Sequence, residues 1–239
     1  MPHANGAADH GVNWGAASPC RSCASEDMEL NWIGHSCFRL RGRDLTVVTD
    51  PVPAKLGYAT GRLQADVVTV SHAEPNHNAV DAVSGNPRVV DGPGEYELSG
   101  VMITGVATPR PPGQSRAVPR NTAYLIELDD VTVCHLGDVA VPLAADQVAV
   151  VKDADILLVP VGGRCTIDAA QAAEVVAQVE PKLVVPMHYR TSAAALDLDA
   201  VDRFCHEMGA SALTPQARLN VTRSSVPDQL TVVLLEFRG

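Results

Sequence analysis

The chain is short of aromatic residues, with two Trp, four Tyr and three Phe in 239 positions. It is short of positive charge as well: 18 Lys and Arg stand against 28 Asp and Glu, a formal net charge of −10. Together these exclude a stripe of interleaved basic and aromatic residues, so the chain is a poor generic polyanion binder and no nucleic-acid partner is expected. No apolar run approaches the ~20 residues needed to span a bilayer. The first residues lack the basic start and apolar stretch of a secretory leader, so a cytoplasmic protein with no membrane partner is expected. Six cysteines at positions 20, 23, 37, 134, 165 and 205 are no disulfide framework for a chain of this size and compartment.

Apolar residues make up 46% and charged residues 19% of the chain, a composition neither disordered nor coiled-coil. Its length favours one large domain. Residues 1–27 are rich in Ala, Gly, Ser and Asn and show no period, so they read as a flexible extension. Cys20 and Cys23 form one Cys-x-x-Cys there, and His3 and His10 are the only nearby candidates to complete a zinc site. Their spacing matches no finger type. Residues 28–239 then read as a single domain.

From Met28 the chain alternates short β-rich runs with turns. Strands are predicted over 28–33, 38–40, 45–50, 67–71, 88–90, 101–106, 122–128, 131–136, 156–161, 183–186 and 230–237. Several are almost wholly Val, Ile and Leu, as in strands covered on both faces. Helices are predicted over 144–151, 168–179 and 196–208. The second has an apolar stripe through Ala169, Ala172, Ala173, Val176 and Val179, and Asp168 with Gln171 forms a capping box. The pattern predicts two packed sheets with helices outside.

The informative segment runs from Val67 to Asn78: an apolar strand leading into Ser71-His72-Ala73-Glu74-Pro75-Asn76-His77. His72 and Glu74 are two apart in extended chain and point to one side. His77 follows Pro75, where the chain turns. Two further strands end alike, in His135-Leu136-Gly137-Asp138 and in Pro186-Met187-His188-Tyr189. Polar groups converging from several strand ends are how layered sheets build active sites.

The ordered set Gly34-His35-Ser36-Cys37-Phe38, Thr49-Asp50-Pro51, Ser71-His72, Gly92-Pro93-Gly94-Glu95-Tyr96-Glu97, Asn121-Thr122-Ala123-Tyr124, His135-Leu136-Gly137-Asp138, Pro160-Val161-Gly162-Gly163 and Pro186-Met187-His188-Tyr189 resembles the metallo-β-lactamase superfamily, more narrowly its lactonase-like branch of metal-dependent hydrolases. The resemblance implies an α/β fold, a four-layer αββα sandwich, with a metal site at one edge between the sheets. It also implies hydrolysis by a hydroxide held on a metal ion.

The metal motif departs from the family's His-x-His-x-Asp-His. Glu74 stands in place of the second His and Asn76 in place of the Asp, and Thr108 falls where a further His is expected. The resemblance leaves His72, Glu74, His77, Asp138 and His188 as metal ligands. These divide as His72, Glu74 and Asp138 for one ion and His77, His188 and Asp138 for a second, or serve a single ion on His77, Asp138 and His188, or hold none. Zinc is the first expectation, with Mn or Fe tolerated by an oxygen-richer set. The catalytic candidates are Glu74 as base, Asn76 as a ligand or hydrogen-bond donor, and His35 beside the metal or facing substrate. His135 reads as packed or supporting, and Glu95 as anchoring a turn. Arg110, Arg116 and Arg120, in a Pro-rich stretch, and Arg164 are candidates to bind an anion.

The expected function is metal-dependent hydrolysis of a small ester, lactone or phosphoester. The rival expectation is an inactive binding or interaction protein that kept the fold and lost one or both metals. The expected partner is a small-molecule substrate, with a homo-oligomer left open.

Overall fold

The computed structural model describes Met1 and residues 27–109, 120–210 and 212–237. Cys20 and Cys23, nearly all of the extension, and Arg110 and Arg116 lie outside these residues.

Two sheets pack face to face. The first has six strands in the order β14-β1-β2-β3-β5-β7: β1 Met28–Gly34, β2 Cys37–Arg41, β3 Thr46–Thr49, β5 Val67–Thr69, β7 Arg88–Val90 and β14 Leu219–Val221. A two-stranded pair, β4 Leu63–Gln64 with β6 Val83–Ser84, lies apart from it. The second sheet has seven strands in the order β15-β13-β12-β11-β10-β9-β8: β8 Gly94–Leu98, β9 Val101–Pro109, β10 Arg120–Leu128, β11 Val131–His135, β12 Ile156–Pro160, β13 Leu183–Met187 and β15 Thr231–Val232.

The period of two explains how the first sheet is covered on both faces. Trp32, Phe38, Leu40, Val47 and Val67 join the main core between the sheets. Their neighbours Ile33, Cys37, Val48 and Val68 face the other way, into a smaller core with Tyr58, Leu63 and Val83. That outer side carries the 3-10 turns Ala54–Leu56 and Val80–Ala82. The α-helices are α1 Ala145–Val151, α2 Ala169–Val179 and α3 Asp202–Glu207. α2 buries Ala169, Ala172, Val175, Val176 and Val179. Its start is fixed as the sequence predicts: the Gln171 amide donates to the Asp168 carboxylate at 2.9 Å. No helix among the described residues is long and apolar enough to cross a membrane.

Most predicted elements form to within one or two residues at each end; two are much shorter than predicted. The helix expected over 196–208 forms only from Asp202, because the Asp199 amide donates to Gly162 and the Asp199 carbonyl accepts from Arg190. Those backbone groups are taken by neighbouring loops and cannot close helical turns. The strand expected over 230–237 pairs only at Thr231–Val232, with an isolated bridge from Gln216 to Leu235.

Topology sets the position of the site. β3 and β5 run parallel, as do β11, β12 and β13, so each group's C-terminal ends share one edge. β2 is antiparallel to β3 with Phe38 opposite Thr49, which brings the β1–β2 turn to that edge too. Several bonds tie the two sheets there. The Tyr124 hydroxyl donates to the Val70 carbonyl at 2.8 Å, the Thr122 amide to Ser71 at 2.9 Å, and His135 Nε2 to the Ser36 carbonyl at 2.9 Å.

Candidate metal centre

After β5 the chain turns at Pro75, and the His77 amide donates to the Glu74 carbonyl at 2.9 Å. The turn brings His77 back beside His72, with ring centroids 4.3 Å apart. Both rings are buried, whereas Glu74 and Asn76 are half-exposed.

The rings are oriented by Asp50, a fully buried residue that follows β3. Its Oδ1 accepts the Ser71 amide at 2.7 Å, and its Oδ2 accepts both the Ser71 hydroxyl and His77 Nδ1–H at 2.9 Å. Having donated its only proton to Asp50, the Ser71 hydroxyl accepts His72 Nδ1–H at 2.9 Å. Each imidazole thus has its proton on Nδ1 and its lone pair on Nε2, the tautomer that ligates a metal through Nε2. Burial alone would push the Asp50 carboxyl up; the His77 hydrogen bond and the neighbouring imidazoles hold it below its ordinary value.

Asp138 sits at the centre. Its Oδ2 is 3.4 Å from His77 Nε2 and 3.8 Å from His72 Nε2, and its Oδ1 is 3.4 Å from His188 Nε2. Its backbone amide is held by Asn121 Oδ1 at 2.9 Å. The Asn121 amide in turn donates to the Leu136 carbonyl at 2.9 Å and to Thr108 Oγ1 at 2.7 Å. Burial opposes charge on Asp138, but His188 and His77 hold its carboxyl well below the usual carboxylate range. The reciprocal effect acts on His188: burial works to lower it, yet the Asp138 charge and hydrogen bond prevail and push it up to about 10.

His188 and His35 complete the cluster. His188 follows β13, and the close approach of Gly162 holds its backbone; a Cβ on Gly162 would lie 2.0 Å from the His188 carbonyl oxygen. His35 occupies the β1–β2 turn, 1% exposed. Its ring lies 4.0 Å from that of His188 and 4.8 Å from that of His77. The side-chain amide of Asn76 meets His35 Nε2 at 3.0 Å. Burial, with His188 and His77 alongside, keeps His35 well below its ordinary value and so neutral. Cys165, after β12, brings Sγ to 4.0 Å from His188 Nε2.

The donor set fits a metal ion. The candidate ligand atoms of His35, His77 and His188 lie within 4.8 Å of one another, as do those of Asp138, Cys165 and His188. A third such group, Asp50, His72 and His77, is closed by hydrogen bonds to Asp50 instead. His35 Nδ1, His77 Nε2 and His188 Nδ1 are buried with no hydrogen-bond partner among the described residues. Buried nitrogens left unpaired beside ionised carboxylates are what an ion's seat looks like from the protein side.

The structure thus brings together His72, His77, Asp138 and His188, with Glu74 Oε2 at the rim 3.8 Å from His72 Nε2. His35 and Asn76 join as a bonded pair. Thr108 is buried, and its hydroxyl donates to the Asn121 carbonyl at 3.2 Å while accepting the Asn121 side chain, so it is committed elsewhere. His135 donates to Ser36 and packs edge-on against Phe38. Glu95 lies on the exposed edge strand β8, Arg120 is exposed, and Arg164 pairs with Asp197 at 3.3 Å. Sequence reasoning assigned no role to Asp50 or Cys165. The sequence holds a signal for Asp50: β3 runs directly into an acid, as β11 leads within three residues to Asp138.

Residues 29–188 match the family model of the beta-lactamase superfamily domain. A solved Thermotoga maritima protein of the metallo-β-lactamase superfamily is 35% identical, with a TM-score of 0.73, covering 88% of this chain and 99% of that one. This chain belongs to the metallo-β-lactamase superfamily. The αββα-type sandwich and a metal cofactor follow from that membership together with the donor set. Among other relatives, a UPF0173 metal-dependent hydrolase of Salinibacter ruber is 28% identical over 214 residues, covering 76% of this chain and 94% of the relative. A UPF0173 protein of Pyrococcus furiosus is 29% identical over 191 residues, covering 70% and 86%.

Proposed function

We propose that the chain hydrolyses a small ester, lactone or phosphoester at a metal centre held by His72, Glu74, His77, Asp138 and His188. It is a metal-dependent hydrolase, as its UPF0173 relatives are named. The observation that carries the reading is Asp138: one buried carboxylate within 3.8 Å of three imidazoles delivered by two separate strand ends. The Asp50–Ser71 support, which fixes two imidazole tautomers, favours a working centre over a relic.

The imidazole and carboxylate donors suit zinc, with Mn or Fe accommodated. A bound divalent ion would supply Lewis acidity and bring the pKa of coordinated water down to about 7. The chain's own residues do the rest. Asp138 places negative charge at the centre of the cluster. Asp50 and Ser71 keep His77 and His72 from rotating. Glu74, half-exposed at the rim, is placed to take a proton from an attacking water. Asn76 cannot act as a base, and its amide is engaged with His35.

The test is metal content of untagged protein by elemental mass spectrometry after dialysis against Zn and Mn, followed by ester, lactone and phosphodiester screens. One or two equivalents, lost in a His77→Ala, His188→Ala double variant together with turnover, support the reading. Folded protein that takes up no metal would leave the rival, a binding protein built on the same fold.

A further inference from the structure

We propose that His35 is itself a metal ligand, so that one ion is held by three imidazoles, His35, His77 and His188, together with Asp138. The inference rests on the metal-dependent reading above and goes past it. The ligand set drawn from the motifs omits this residue, and the β1–β2 turn lies far from the metal motif in sequence.

Three observations place it there. First, the candidate ligand atoms of His35, His77 and His188 lie within 4.8 Å of one another. Donors about 2.0–2.1 Å from one zinc ion stand roughly 3–4 Å apart, so a modest inward rotation of the rings closes the set. Second, His35 Nε2 lies 3.0 Å from the Asn76 side-chain nitrogen, and its buried Nδ1 has no partner among the described residues. Turned over in place, the same amide presents its oxygen to Nε2–H and leaves the lone pair on Nδ1. One ring nitrogen held by a polar partner and the other left bare is the arrangement of a metal-bound imidazole. Third, the backbone is specialised to put the ring in this place. His35 has φ +54, and its carbonyl accepts both Trp32 Nε1 at 3.0 Å and the His188 amide at 3.1 Å.

The same geometry accounts for the departures in the motif. Asn76 brings no charge, and Thr108 is committed to Asn121. The side of the cluster near His72 and Glu74 therefore has a single imidazole, while the side near His77 and His188 gains a third from His35. The result is a nitrogen-rich seat for one ion rather than two equal seats.

The experiment is X-ray absorption at the zinc edge of the full chain loaded with one equivalent, with cobalt(II) absorption spectra and metal affinity by chelator competition. Three imidazole scatterers in the native protein, two in His35→Gln, and an affinity loss of at least about 10-fold are expected. Two imidazoles in the native protein, or unchanged affinity in His35→Gln, would overturn the proposal. A thiolate-to-cobalt band that vanishes in Cys165→Ser, alongside only two imidazoles, would give the seat to Cys165 and overturn it equally. The native-protein count needs no variant, so the test stays decisive even if His35→Gln misfolds. Native protein that takes up no metal defeats the hydrolase reading as well. Metal uptake and turnover with two imidazoles defeat only the role of His35.

Discussion

The His188 amide donates to the His35 carbonyl across 3.1 Å, and the two rings lie 4.0 Å apart. Both residues hold left-handed backbone, φ +53 and +54. One comes from the second sheet at the end of β13, the other from the first sheet at the β1–β2 turn. The contact fastens the two sheets to each other at the site itself. It depends on a glycine: Gly34 has φ +140, and a Cβ there would lie 2.2 Å from the Tyr58 ring.

Gly34→Ala is therefore expected to destabilise the chain through backbone strain and overpacking, each costing about 1–3 kcal/mol. Chemical denaturation measures the loss. A change within about 0.5 kcal/mol would mean that the turn does not need glycine. Metal affinity should fall with it, because the turn aims His35.

Asp50 tests the supporting layer. Its two oxygens accept three donors, from the Ser71 amide, the Ser71 hydroxyl and His77. In Asp50→Asn an NH2 faces either the Ser71 amide or both the Ser71 hydroxyl and His77, and in either placement the charge that holds His77 Nδ1–H is gone. Metal affinity is expected to fall about 10–100-fold, read by chelator competition. Unchanged affinity would show that His77 is oriented by packing alone.

Much of this architecture is legible in the amino-acid sequence. Apolar runs ending in polar residues locate β5, β11 and β13, and Pro75 signals the return of His77. The Asp168–Gln171 box marks the start of α2. The same strand-end rule applied to β3 would have found Asp50. Partnership across the fold is what the sequence does not display. His35 and His188 are 153 positions apart, and only the antiparallel β1–β2–β3 register brings the turn to the shared edge. The truncated third helix was illegible for a like reason: Asp199 gives its backbone groups to loops remote in sequence.

Glu74 separates base from ligand. Glu74→Gln keeps a ligating oxygen but cannot accept a proton. Turnover is expected to drop about 10²–10⁴-fold, with metal content unchanged by elemental analysis. Full turnover would remove Glu74 from the chemistry. Lost metal would make it a ligand first.

The Asp138–His188 pair predicts a pH dependence in chelator-treated protein. His188 is raised from its ordinary value to about 10, so its contribution to stability is complete below pH ~6.5 and is lost as pH rises through about 10. Asp138 is lowered, so its contribution is present above pH ~4 and is lost only as pH falls through its depressed value. The pair therefore stabilises most between pH ~4 and ~6.5 and weakens on the alkaline side. A metal ion competes with the His188 proton, so at fixed free metal the rise in melting temperature on loading should grow from pH ~6 to pH ~9. Melting curves with and without metal across that range measure both effects. His188→Asn, which tolerates the left-handed backbone, should flatten the alkaline decline of the metal-free protein. A native protein already flat there would mean that the proton does not reside on His188, and that Asp138 is neutralised by His77 or His72 instead.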